Sequence, residues 1–248
     1  NGSGCQSTLT VNVAAAPVNN TSTAAICSGG TSLTTKALSG TGGDTWSIQS
    51  PSSNQGSISS TTSNGTYTPS STYTGSVTLR YKLASTGCFA DASFTVNAAP
   101  VITPASPSVC TGSVTSISAS PAGGSFSGSY SGPSGTTLTG TNPYSLNAGN
   151  TTGAGSGTYT TGPGCKNNLN VTVIQSPILT PSSPTLCASN VSLAVSGIAG
   201  GSFGTGTGTA TSVAVNPNPS DPNYLITPGT VAGTRSFTYT ASNSCTTT

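Results

Sequence analysis

The sequence predicts an all-β chain built from tandem two-sheet antiparallel sandwiches, and three observations predict it. A segment occurs three times, as Gly4-Cys5 to Cys27, Gly87-Cys88 to Cys110 and Gly164-Cys165 to Cys187. Its two cysteines are 22 residues apart each time (27 − 5, 110 − 88, 187 − 165), and Pro17, Pro100 and Pro177 each follow the first cysteine by 12. Between cysteine and proline, Leu9, Val11 and Val13, then Ala92, Phe94 and Val96, then Leu169, Val171 and Val173 recur with the period of two that buries one face of a strand. Helical periodicity is absent over any ten residues, and the 32 glycines and 17 prolines interrupt every candidate helix.

In chain order, residues 1–18 read as the final strand of a preceding or neighbouring module. Leu9, Val11 and Val13 give them the alternation that a donor strand needs to complete another module's sheet. Residues 19–100 form the first module, 101–177 the second, and 178–248 a third that lacks its last strand. The frame of the repeat predicts a window of a longer polypeptide, the alternative being a strand-donating subunit. Each module opens on a cysteine (Cys27, Cys110, Cys187) followed by a strand, at 31–37, 114–119 and 191–195. A glycine-led strand then carries a large aromatic, in Gly42-Gly43-Asp44-Thr45-Trp46, Gly123-Gly124-Ser125-Phe126 and Gly200-Gly201-Ser202-Phe203. Trp46, Phe126 and Phe203 are therefore predicted core aromatics. A middle rich in Gly, Ser, Thr and Asn reads as short strands and turns. Tyr67, Tyr73, Tyr130, Tyr144 and Tyr224 lie there, as strand packing or as contacts to a ligand.

The penultimate strand is clearest at 76–83, where Val77, Leu79, Tyr81 and Leu83 alternate with Thr78, Arg80 and Lys82. Its counterparts are 157–160 and 235–240. A turn with the second cysteine (Cys88, Cys165, Cys245) follows, then the closing strand. About seven short strands in roughly 70–85 residues is the pattern of an immunoglobulin-like sandwich, and a module of that size gains from covalent staples.

The openings Cys27-Ser28-Gly29 and Cys110-Thr111-Gly112, the aromatic on the third strand, the late Gly-Cys and a closing Thr95-Val96-Asn97 before proline carry a resemblance. Together they resemble the immunoglobulin-like or PKD-like repeats of large Bacteroidota cell-surface proteins. That resemblance implies type IX-secreted adhesins, gliding filaments or stalks of secreted enzymes. The third module departs from it: Cys187-Ala188-Ser189 has no glycine, and Phe replaces Trp in modules two and three.

Seven cysteines without histidine or any C-x-x-C pair do not make a zinc site and point to disulfides in an oxidising, extracellular location. The economical pairing stays inside modules: Cys27 with Cys88, Cys110 with Cys165, Cys187 with Cys245, and Cys5 with a partner outside the chain. Strand geometry supports an alternative, Cys27 with Cys165 and Cys110 with Cys245, because opening and turn cysteines of one sandwich lie at opposite ends.

Five Lys plus Arg against three Asp, a net charge of +2, exclude the clustered cations that nucleic acid requires. No membrane span is readable. Asp44, Asp91 and Asp221 stand in different contexts, so no metal is predicted. With no His, no Glu, no P-loop and no dinucleotide fingerprint, neither enzyme activity nor any cofactor is predicted. The expected role is structural: a rigid extracellular stalk or filament on the cell surface, its partners copies of itself or neighbouring modules. The alternative is an adhesin that binds surface glycan or protein through variable loops, and a third reading is a phage or virion fibre domain.

Overall fold

Alternation becomes structure most directly at Gly75–Lys82, where Val77, Leu79 and Tyr81 are fully buried while the residues between them face outward. The computed structural model describes residues 4, 6–19, 26–30, 33–36, 45–61, 64–187, 190–196, 200–211, 213–217 and 224–247, and their regular structure is entirely β-strand. By packing, the chain divides into two units. Asn1–Pro100 joins Thr160–Lys166 in the first, and Val101–Tyr159 joins Asn167–Thr248 in the second.

The first unit contains one sandwich. One sheet runs in the order Ile26–Cys27, Phe89–Asn97, Gly75–Lys82, Thr45–Ser50, and the other Leu33–Lys36, Asn64–Pro69, Gly56–Thr61. Ile26, Trp46, Tyr67, Val77, Leu79, Tyr81 and Val96 form the core between them. Trp46 stands opposite Tyr81 in the ladder with ring centroids 4.9 Å apart. Gly56 opens its strand at φ +119°, and a Cβ there would meet the Thr68 carbonyl oxygen at 2.1 Å, so the turn into that strand requires glycine.

In the second unit, the strands Val101–Thr103, Val114–Ser120, Tyr144–Asn147 and Thr137–Thr139 make one sheet, and Ser108–Cys110, Lys166–Ile174, Gly153–Thr160 and Ser125–Ser131 the facing one. The leading segment serves both. Val101–Thr103 pairs antiparallel with Ser118 to Ser120, then the chain crosses at 104–107 so that Ser108–Cys110 pairs in parallel with Thr172 to Ile174. Ile102, Val109, Ile117, Leu146, Tyr159, Leu169, Val171 and Val173 fill the space between. A second set of sheets follows. Ala214–Pro217, Tyr224–Thr227, Val191–Ser196 and Ile178–Thr180 form one, and Ser202–Phe203, Tyr239–Thr240 and Thr246–Thr247 another, with Thr207–Gly208 on Arg235–Ser236. A leading segment divided between two packed antiparallel sheets is the immunoglobulin-like arrangement. The chain is an all-β tandem of immunoglobulin-like sandwiches.

Two expectations change. The counterpart strand expected at 235–240 is broken into Arg235–Ser236 and Tyr239–Thr240, because each half pairs with a different short strand. Residues 6–18, expected to complete a sheet outside this chain, pair with no strand of the chain itself among the described residues.

The disulfides differ as well. Pairing inside modules (Cys27 with Cys88, Cys110 with Cys165, Cys187 with Cys245) does not occur; the bonds are Cys27–Cys165 and Cys110–Cys245, while Cys88 and Cys187 are free thiols. The reason is the parallel ladder. Cys27 lies opposite Asn97, the end of the nine-residue strand Phe89–Asn97, whereas Cys88 stands just before its start. At about 3.3 Å per residue the two are roughly 30 Å apart, far beyond the ~7 Å that a disulfide tolerates between α-carbons. Cys110, opposite Ile174, stands in the same relation to Cys165, just before the nine-residue strand Lys166–Ile174. Cys5 lies outside the described residues.

Candidate functional site

The features that could carry a role are those repeated from sandwich to sandwich. The first is the opening motif. Gly29 and Gly112 take φ of 63° and 76°, the left-handed conformation that turns the chain from the opening cysteine into the next strand. The residue between cysteine and glycine supplies a hydroxyl. Ser28 Oγ accepts the Ala99 amide at 3.0 Å, and Thr111 Oγ1 accepts the Ser176 amide at 2.9 Å while Ser176 Oγ donates to the Thr111 carbonyl at 2.8 Å. Each hydroxyl thus fastens the segment leaving the closing strand, at the residue just before the hinge proline. Ala188, at that position in the third copy, has no hydroxyl to offer.

The second feature is covalent. Both bonds have α-carbons 5.7 Å apart, and each takes an opening cysteine to the turn cysteine of the following repeat, over 138 and 135 residues. Cys165 and Cys245 are fully buried. Their turns share one geometry: the amides of Thr161 and Ala241 each donate to the cysteine carbonyl four residues on at 2.9 Å.

The third is an aromatic clamp on the shared Ala-Gly-Gly-Ser-Phe segment. Tyr159 Oη accepts the Gly124 amide (3.0 Å) and donates to the Pro121 carbonyl (2.9 Å), and Tyr144 Oη donates to the Gly124 carbonyl (3.1 Å). Tyr239 Oη accepts the Gly201 amide and Tyr224 Oη donates to the Gly201 carbonyl, both at 2.9 Å. Phe126 and Phe203 complete edge-on or tilted trios with these tyrosines. Two phenols satisfy both polar groups of a half-buried glycine that lies beyond the end of its strand. Burial lifts the phenols of Tyr144 and Tyr224 above their usual range, and each is lifted further by its partner tyrosine.

Trp46 is buried, whereas Phe126 and Phe203 are half-buried and pack on the tyrosines. Tyr67 is also a core residue, donating to the Gln55 carbonyl, and Tyr73 Oη donates to the Ser76 carbonyl at 2.7 Å. Sequence reasoning passed over Tyr159 and Tyr239. Their signal was position, six residues before the turn cysteine in both copies (165 − 159, 245 − 239).

Leu9, Val11 and Val13 are 86 %, 70 % and 92 % exposed. Arg80 grips Asp91 through two hydrogen bonds of 2.8 Å and stacks on the Phe89 ring, and that grip holds the Asp91 carboxyl below the usual range. Asp44 and Asp221 lie outside the described residues. Among the described residues no three His, Cys, Asp or Glu side chains gather as a metal site, and no helix is long and apolar enough to cross a membrane. A cleft of about 840 Å³ in the second unit is lined by Leu193, Phe203, Ile226, Arg235 and Phe237 among others.

No protein-family model matches the chain, and no curated protein matches it in sequence. Solved structures resemble the chain at low identity and low TM-score. An I-band fragment from titin is 11% identical over 94% of this chain and 96% of its own, with a TM-score of 0.32. The N-terminal eight Ig domains of Down Syndrome Cell Adhesion Molecule are 12% identical over 90% of this chain and 40% of theirs, with a TM-score of 0.30. Invasin, described as a bacterial integrin-binding protein, is 14% identical over 94% and 57%, with a TM-score of 0.35.

Proposed function

We propose that the chain is part of an extracellular structural repeat protein, a cell-surface stalk or filament of the kind found among Bacteroidota, with modules at 19–100, 101–177 and 178–248 and no enzymatic role. One observation carries this reading: the two disulfides obey a single rule, each stapling an opening cysteine to the turn of the following repeat. Such bonds persist in an oxidising compartment, and they serve a chain whose value lies in staying folded and in register. The hydroxyl fastenings at Ser28 and Thr111 support it, since they restrain the segments that leave the closing strands.

An adhesive role is the second reading, favoured by the cleft in the second unit, where apolar and hydroxyl-bearing side chains line a hollow beside Arg235. Two measurements separate them. Immunogold labelling of intact source cells with antibody to this chain is expected to decorate surface filaments, and antigen confined to the cell interior overturns the structural reading. Specific, saturable binding on a glycan array, lost in Arg235→Ala, supports the adhesin instead.

A further inference from the structure

Sheet edges in the sandwich of residues 101–174 are cut short, with one exception. Thr137–Thr139, Val101–Thr103 and Ser108–Cys110 are edge strands of three residues each, whereas the fourth edge, Ser125–Ser131, has seven. It is the longest edge strand among the described residues. Its counterparts in the other repeats are interrupted: Thr45–Ser50 shifts register between Ile48 and Ser50, and Ser202–Phe203 has two residues. An edge presents a row of unpaired N–H and C=O groups that invites another strand, and proteins usually block it with charge, proline or a bulge. Ser125–Ser131 has neither charge nor proline, and neither does Gly153–Thr160 beside it.

The strand also reads almost the same in both directions. Outward from Gly128, serine stands on each side, then Phe126 and Tyr130, then Ser125 and Ser131. Such a strand is complementary to a second copy of itself laid antiparallel. About a two-fold axis at Gly128, Phe126 comes opposite Tyr130 and Ser125 opposite Ser131. Phe126 and Tyr130 are half-buried against the core, and Ser125 and Ser131 are exposed. One face of the seam is therefore aromatic and the other carries hydroxyls, both of them cross-strand pairings that stabilise sheets.

We infer that Ser125–Ser131 joins two copies of this chain side by side, through antiparallel pairing of the strand with itself. Each four-stranded sheet then continues into that of the second copy, and the seam gains about six to eight ladder hydrogen bonds. The contact is isologous, so it closes at a pair and holds one stalk beside another. The inference deepens the structural reading and rests on it for a setting in which stalks lie side by side.

The test uses the full chain carrying Cys5→Ser, Cys88→Ser and Cys187→Ser, so that no stray disulfide joins copies, with Cys27–Cys165 and Cys110–Cys245 confirmed by peptide mass. Sedimentation equilibrium is expected to show reversible growth from 23.9 kDa to twice that mass as concentration rises, with hydrogen exchange at residues 125–131 slowing over the same range. Ser125→Lys together with Ser131→Lys sets like charges opposite each other and is expected to abolish the dimer. Mixing that chain with one carrying Ser125→Glu and Ser131→Glu is expected to restore it. Register is read separately. Position 125 of one copy lies about 20 Å along the seam from position 125 of the other, but directly opposite position 131. Chains carrying Ser125→Cys or Ser131→Cys are therefore expected to form a disulfide dimer when mixed and far less of one when each is oxidised alone. A chain that stays monomeric up to about 1 mM overturns the inference. So does a dimer that survives the lysines, or equal cross-linking by either cysteine chain alone. None of these outcomes touches the labelling of surface filaments, whereas antigen confined to the cell interior overturns the structural reading and leaves a measured dimer standing.

Discussion

Replacing Cys110 and Cys245 together by serine removes the bond that tethers the strands after residue 177 to those before it. The size of the effect follows from register. Cys110 lies opposite Ile174 in the parallel ladder, so the bond anchors Cys245 beside the point where the chain leaves the sandwich of residues 101–174. While that sandwich stays folded, the loop closed by the bond is the 71 residues from Ile174 to Cys245 (245 − 174), not the 135 that separate the cysteines. Loop-closure entropy for such a loop is worth about 4 kcal/mol. With a urea slope of about 1 kcal/mol/M for so small a domain, the midpoint for residues 178–247 falls by up to ~4 M. Near-ultraviolet dichroism follows this transition through Tyr224 and Tyr239, two of the eight tyrosines, as a separate lower step in the tyrosine signal. Trp46, the one tryptophan, belongs to the first unit and reports that unit separately. The expected outcome is a large fall in the tyrosine midpoint with the Trp46 fluorescence midpoint unchanged. An unmoved tyrosine transition, or a Trp46 transition that moves in step with it, refutes the register argument.

Three further outcomes follow from the geometry. A Cβ on Gly201 would lie 2.3 Å from the Thr240 carbonyl oxygen and 2.5 Å from the Tyr239 ring, so Gly201→Ala is expected to cost about 1–3 kcal/mol in thermal unfolding. Gly162→Ala, with nothing within 4 Å of its added carbon, is the control and should stay within about 0.5 kcal/mol. Tyr159→Phe strands the Gly124 amide and the Pro121 carbonyl and is expected to lose about 1–3 kcal/mol, with faster hydrogen exchange at Gly124. Asp91 accepts the Arg80 guanidinium and therefore holds its proton less readily folded than unfolded. Its contribution is complete above the unfolded value of about 4 and is lost as pH falls through the lower folded value. The Trp46 midpoints of the protein and of Asp91→Asn should thus differ slightly at neutral pH and converge in acid, and a gap that persists in acid contradicts the ion pair.

What the sequence made legible depended on how local the constraint was. Gly75–Lys82 could be read because each face of a strand demands its own chemistry, and Val77, Leu79 and Tyr81 answer on one side while Arg80 and Lys82 answer on the other. The disulfides were legible only as two schemes. Choosing between them required knowing that Cys27 and Cys110 close short parallel strands, and no residue pattern marks a strand of two or three residues as parallel. The hydroxyls of Ser28 and Thr111 carried no legible role, because their partners stand 71 and 65 residues away. Tyr144 and Tyr224, each beside an Asn and Pro pair in the variable middle, could serve a ligand as well as a core; their roles emerge only when the sandwich brings Gly124 and Gly201 to their phenols.

The parallel pairing of Ser108–Cys110 with Thr172 to Ile174 has a consequence for a chain that is pulled. Tension enters at the start of the short strand and exits at the end of the long one, so the hydrogen bonds between them are loaded together, in shear, and cannot be peeled apart in sequence. Should they give way, the sulfur bridge from Cys110 to Cys245 still catches the chain within the same stretch. Extension then halts at the length of whatever lies outside the closed loop, and recoil begins from a partly preserved fold.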